Sequence, residues 1–215
     1  TEYLVKFVTV AILIEKNQFK QRKLNMKILG IGNAIVDVIC KVEDDFLSKN
    51  NLTKSTMKLI FDDKEFKSLL SSLKIEKTVS GGSVANSIVG LSQLGNEVGF
   101  IGKVSDDDLG SKYEEGLKKE NVKYFYSKKK EDLPTGTCLI LVTPDSERTM
   151  CTFLGTAGKI KENDVSADAI KQSEIIFLEG YLWDEGDPKK AFDKAIQNAS
   201  KVSMSLSDQF CVDRH

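Results

Sequence analysis

From Met26 onward, short apolar runs alternate with stretches whose apolar residues recur every three or four positions. "KILGIG" (27–32), "EVGFIGKV" (97–104), "SEIIFLEG" (173–180) and "KVSMSLS" (201–207) read as strands. Between them, "DKEFKSLLSSL" (63–73) spaces Phe66, Leu69, Leu70 and Leu73 as one helical face. "DDLGSKYEEGLKKE" (107–120) does the same with Leu109, Tyr113 and Leu117, and it puts Asp107 and Asp108 at the positive end of the helix dipole. "DPKKAFDKAIQNAS" (187–200) reads as a third helix with Pro188 near its start. Strands separated by helices predict an α/β protein with a doubly wound, mostly parallel sheet and helices on both faces.

Two stretches break this rhythm. "VDVICKVEDDFL" (36–47) with "STMKLI" (55–60), and "GTCLILVTPDSERTMCTFLG" (136–155), are strand-rich, and no helix is expected between their strands. The second reads as a hairpin turning at "PDSE". Together they predict a small β lid, near 36–60 and 136–155, over one edge of the sheet. "MKILGIGNAIVD" reads as a natural first strand, so the domain is expected to run over 26–215. Residues 1–25 read as a non-native appendage. Their "FVTVAILI" (7–14) is too short to span a bilayer and lacks the flanks of a secretory signal. The chain stops at "SDQFCVDRH" straight after a strand pattern with no capping signal, and it reads as an N-terminal fragment.

"TVSGGSVANSIVGLSQLG" (78–95) places two glycines before a helical run. Ser83 reads as the N-cap, and from Val84 the residues Ile88, Leu91 and Leu94 share a face until Gly95 ends the run. Gly81 and Gly82 therefore sit at a helix N-terminus. Backbone can approach a ligand closely there, and free amides favour polar or anionic groups. Asn86, in the first turn, aims an amide at the same point. "GIGNAIVD" (30–37) puts Asn33 and Asp37 beyond the first strand, on the side where open parallel sheets bind ligands. A carboxylate such as Asp37 can accept two hydrogen bonds from neighbouring hydroxyls. The same run is not a dinucleotide fingerprint, because Ile35 replaces the third glycine.

Composition narrows the class further. The chain has 215 residues, 40% hydrophobic and 29% charged, enough for one large domain with a real core. Its 31 basic and 32 acidic residues give a net charge of −1, which points to no nucleic acid and no anionic membrane. The basic run in "SKKKED" (127–132) reads as a solvated loop. Cys40, Cys138, Cys151 and Cys211 form no C-x-x-C pair, and the single histidine is the last residue, so no Cys/His metal site is expected. Free thiols fit a reducing, cytoplasmic setting.

"GNAIVD", "GGSVANS", "GKVSDDDLG", "PTGTC", "ERTMCTFLG" and "FLEGYLW", in this order, resemble the PfkB (ribokinase-like) family of carbohydrate and nucleoside kinases. Within it, "GGSVANS", "PTGTC" and "SMSLSDQF" are most similar to adenosine kinases. Val84, Ile88 and Ser105 depart from the general family pattern, the first two in ways also at home in adenosine kinases. The resemblance implies a ribokinase-like fold, a small-molecule acceptor, ATP and Mg²⁺ as cosubstrate and cofactor, and a monomer or homodimer. It implies that Asp37, Asn33, Asn86 and the backbone at Gly81 and Gly82 hold the sugar hydroxyls. Arg148 is either a contact for the transferred phosphoryl group or an exposed turn residue. Cys138 and Leu139 either line the base side or pack, and Tyr181, Leu182 and Trp183 either face the base or fill core. The family's catalytic aspartate lies in a Gly-Ala-Gly-Asp segment that does not occur in these residues; "GTAGK" (155–159) has Lys159 where the acid belongs. The acceptor-binding half of a kinase, itself inactive, is the expectation. Another sugar kinase (ribokinase, fructokinase or keto-deoxy sugar acid kinase) and a non-catalytic nucleoside binder are the alternatives.

Overall fold

The computed structural model describes residues 26–215, so the appendage expected at 1–25 lies outside the described residues. The chain opens with β1 (Met26–Ile31), β2 (Ile35–Lys41), α1 (Asp44–Lys49), β3 (Met57–Leu59), α2 (Asp63–Ser71), β4 (Ile75–Gly81) and α3 (Ser83–Gln93). It continues with β5 (Val98–Ile101), α4 (Asp108–Lys119), β6 (Lys123–Tyr124), β7 (Gly136–Val142) and β8 (Arg148–Phe153). The last elements are α5 (Ala167–Lys171), β9 (Ser173–Glu179), α6 (Asp187–Asn198), β10 (Val202–Ser205) and α7 (Gln209–Arg214), with short 3-10 turns between some of them.

One sheet, ordered β10-β9-β1-β5-β6, is parallel throughout. Its inner strands β1 and β5 are almost wholly buried, which is why they read as apolar runs, whereas the edge strands β10 and β6 are partly exposed. Ile28 points into a core shared with Val84 and Ile88 of α3 and with Tyr113 and Leu117 of α4. Leu29 and Ile31, one step along the pleat, point the other way, onto Ile170 of α5 and Phe192 of α6. Helices thus cover both faces, as a doubly wound sheet requires.

The second sheet, ordered β3-β8-β7-β2-β4, is mixed: β2 pairs β7 in parallel and β4 in antiparallel, and β7 and β8 form the expected hairpin. It is larger than a flap of two pieces. β4 joins it although "IEKTVSG" is mostly exposed and therefore carries no apolar signal. The expectation of no helix between its first strands is corrected by α1, which holds Asp44 and Asp45 in its first turn, Lys49 in its last, and buries Leu47. After β10 the chain forms one further short helix, α7, whose N-cap Asp208 accepts a hydrogen bond from the Phe210 amide at 3.3 Å. Leu94 leaves the predicted face of α3: the helix stops at Gln93 and Leu94 is 80% exposed. Among the described residues no helix is long and apolar enough to cross a membrane.

Candidate functional site

The two sheets meet at the carboxyl ends of β1 and β9, and a cavity of about 280 Å³ lies between them. Asn33, Asp37, Gly82, Asn86, Cys138 and Tyr181 all line it. Asp37 stands on β2 opposite Cys138 of β7, so the pleat turns both toward the cavity. Gly81 lies beneath the Asp37 carboxyl rather than in the wall. A Cβ there would stand 2.6 Å from the carboxyl carbon, which is the physical reason for a glycine at that position. Gly82 is the N-cap of α3, in place of the expected Ser83. It needs its freedom, with φ at +105° and a missing Cβ that would collide with the Asn33 carbonyl oxygen. The turn is also held from behind, because the Tyr113 hydroxyl donates to the Gly81 carbonyl at 3.2 Å and Ser80 Oγ donates to the Tyr113 carbonyl at 3.1 Å.

Two acceptors in this cavity lack donors. Among the described residues the Asp37 carboxylate has no hydrogen-bonding or charged partner, and burial alone pushes its pKa up to about 6. Asn33 is 3% exposed, yet its Oδ1 has no partner. A buried, unsatisfied oxygen of this kind costs roughly 1–3 kcal/mol until a donor arrives.

Glu179 is the residue that sequence reasoning missed. It ends β9, is 1% exposed and lines the same cavity. Its carboxylate accepts hydrogen bonds from the Asn33 amide and from the Val84 amide at 3.4 Å. Burial pushes its pKa up to about 7, and hydrogen bonds from the Asn33, Val84 and Ser83 amides only partly offset that. The signal was present, an acid closing an otherwise apolar strand, but nothing in the pattern said where it pointed. The Ser83 and Val84 amides at the start of α3, expected to be free for a ligand, are ones Glu179 occupies, together with the Asn33 amide just past β1.

The remaining candidates separate. Cys138 is 6% exposed and accepts a hydrogen bond from Thr152 Oγ1 at 3.2 Å; burial pushes its thiol up to about 12. Leu139 faces the opposite side and is fully buried in the core. Tyr181 faces the cavity, its ring 5.7 Å from that of Phe210 on α7. Leu182 fills core, and Trp183 packs on Phe192 with Lys189 4.4 Å from its ring centre. Arg148 is exposed, opposite Val142 near the hairpin turn, and does not line the cavity. At about 3.3 Å per residue it sits roughly 13 Å up β8 from Thr152. Arg214, which sequence reasoning did not single out, does line it and pairs with Asp184 at 2.8 Å. A second cavity, about 460 Å³, is lined by charged residues that include Lys103. Lys103 is satisfied internally there, 3.2 Å from both Glu131 and Asp164.

Residues 51–211 match the family described as pfkB family carbohydrate kinase. The chain belongs to that family. Among solved structures it is similar to adenosine kinase from Sinorhizobium meliloti, at 36% identity and a TM-score of 0.80, over 89% of this chain and 59% of that one. That match carries the ribokinase-like architecture. Among curated proteins it is 27% identical to 5-dehydro-2-deoxygluconokinase of Mesomycoplasma hyopneumoniae over 73% of this chain and 45% of the relative. It is 29% identical to adenosine kinase 2 of Arabidopsis thaliana over 72% of this chain and 47% of the relative. The pfkB chain thus spans about half the length of these curated relatives.

Proposed function

We propose that this chain forms the acceptor-binding half of an ATP-dependent kinase that phosphorylates a nucleoside or sugar hydroxyl, with adenosine, converted to AMP, as the acceptor. The observation that carries the reading is the pair of donorless acceptors, the Asp37 carboxylate and Asn33 Oδ1, on two residues that line one cavity. Vicinal hydroxyls supply the two donors these oxygens lack. A deoxy analogue leaves them unpaired, so the site discriminates against it. Across the cavity the Tyr181–Phe210 pair offers an aromatic wall for a base.

Chemistry beyond acceptor binding calls for parts that the described residues do not supply. The turn at Ala157–Lys159 is a single 3-10 turn ending in an exposed lysine, not an anion hole with an acid. Among the described residues no cluster of three or more His, Cys, Asp or Glu side chains could hold a metal ion. A second reading, a sugar acid acceptor of the 5-dehydro-2-deoxygluconate kind, is favoured by the Arg214 guanidinium in the wall, although Asp184 already pairs it.

The test is coupled turnover of the whole protein with ATP on adenosine, ribose, fructose and 5-dehydro-2-deoxygluconate. Adenosine is expected to give the highest kcat/KM. Activity confined to a free sugar or to the sugar acid overturns the nucleoside reading.

A further inference from the structure

We infer that Glu179 is a built-in counter-anion that fills the N-terminus of α3 and so makes the diol end of the pocket reject ligands carrying a phosphate there. The inference rests on the acceptor-site reading above and deepens it. α3 runs 11 residues from Ser83 and has no side-chain cap of its own, since its N-cap is Gly82. Left alone, its first amides would form an anion site at the cavity wall. Instead β9 delivers a carboxylate to them. Glu179 accepts from the Val84 amide on α3 and from the Asn33 amide just past β1, so three elements converge on one acid. Gly32 leaves the space for it, because a Cβ at that position would stand 2.7 Å from Glu179 Oε2. At 1% exposure the carboxylate is out of reach of screening ions.

The consequence is a matter of sign. Asp37 and Glu179 put two carboxylates at the same end of the cavity, while the Arg214 charge in the wall is matched by Asp184. Neutral hydroxyls can donate to that end. A phosphate monoester brought to it meets like charge at low local dielectric, and the helix dipole that would have welcomed it is already neutralised. A nucleoside therefore seats its diol here unphosphorylated, and any phosphate it carries belongs at the far end.

Binding of adenosine, 3′-AMP and inorganic sulfate at pH 8 tests this in the whole protein and in Glu179→Ala and Glu179→Gln. Amide shifts of Ser83 and Val84 report where sulfate sits. Glu179→Ala opens a hole lined by donors and is expected to bind sulfate at those amides about tenfold or more tightly than the parent. Glu179→Gln keeps the side-chain volume, and it is expected to raise the affinity for 3′-AMP relative to adenosine by about tenfold. A gain of binding cannot come from misfolding. Equal 3′-AMP to adenosine ratios in all three proteins, or sulfate already seated at Ser83 and Val84 in the parent, overturns the inference. If Glu179→Ala captures sulfate while none of the proteins binds adenosine, the counter-anion stands and the nucleoside reading falls.

Discussion

Asp37 carries an unusual burden for a single side chain: a half-buried carboxylate with no donor, held against a glycine backbone. Its pKa rises from 3.8 to about 6 through burial. The folded state therefore keeps a proton that the unfolded chain gives up between those values. Stability linked to Asp37 is fully present below about pH 4 and is lost as pH rises through 6, a difference of about 3 kcal/mol. Asp37→Asn is expected to flatten that stretch of the stability curve and, without ligand, to be the more stable protein above pH 6, while losing affinity for the acceptor. Denaturant midpoints measured from pH 4 to 8 on both proteins check it, and parallel curves would show that the carboxyl is solvated. Asp37, Asn33, Asn86 and the glycine pair stood out in the sequence because their residue types are unusual for the positions they fill. A glycine pair opening a helix and polar residues just past a buried strand both demand a reason. Glu179 gave no such warning, since a strand-ending acid is ordinary until its neighbours are known.

On β7 the two-residue period of the pleat decides what each neighbour does. Cys138 faces the cavity and Leu139 the core, where it packs with Leu141, Cys151 and Phe153. Leu139→Ala is expected to cost about 2–5 kcal/mol of stability. Cys138→Ala removes a thiol from a cavity wall and is expected to cost well under half of that, its effect falling on ligand binding. Chemical denaturation beside ligand titration separates the two, and a larger stability loss at Cys138 would reverse the assigned faces. Sequence patterns located this hairpin because β7 and β8 are long and largely buried. They missed α1 and α7 because six residues are fewer than two helical turns, too few for a periodic signal. They missed β4 because an edge strand in solvent is polar.

Between the sheets the chain crosses four times; Gly32, Gly82 and Gly155 lie in three of the crossings, and the fourth runs into Gly136 at the start of β7. Two of these crossings are bolted to the body by Asp107. Its Oδ1 accepts from the Gly110 amide at 2.7 Å, which caps α4, and from Thr135 Oγ1 at 2.7 Å, while its Oδ2 accepts from the Thr135 amide at 2.9 Å. The Thr156 amide then donates to the Pro134 carbonyl at 2.9 Å, so the chain leaving β8 is tied to the chain entering β7. "GKVSDDDLG" and "PTGTC" were each readable as motifs, but their joint was not, because it links residues 28 apart that no local pattern relates. On the opposite side, Gly82 turns the chain into α3 with φ at +105°, and the neighbouring Gly81 carbonyl at the end of β4 accepts from the Tyr113 hydroxyl of α4 at 3.2 Å. The second sheet is therefore tied to the body at two places, through Asp107 and through Tyr113. Asp107→Ala is expected to speed amide exchange at Thr135 and Thr156 and to raise KM for the acceptor more than it lowers kcat, because the wall bearing Cys138 loses its fixed post. Losing the cap of α4 alone costs about 1 kcal/mol and would instead speed exchange at Gly110 and its neighbours. Asp107→Asn, which keeps one acceptor for the Gly110 amide, distinguishes the two roles. If Thr135 exchanges in both variants as slowly as in the parent, the joint is held by packing instead.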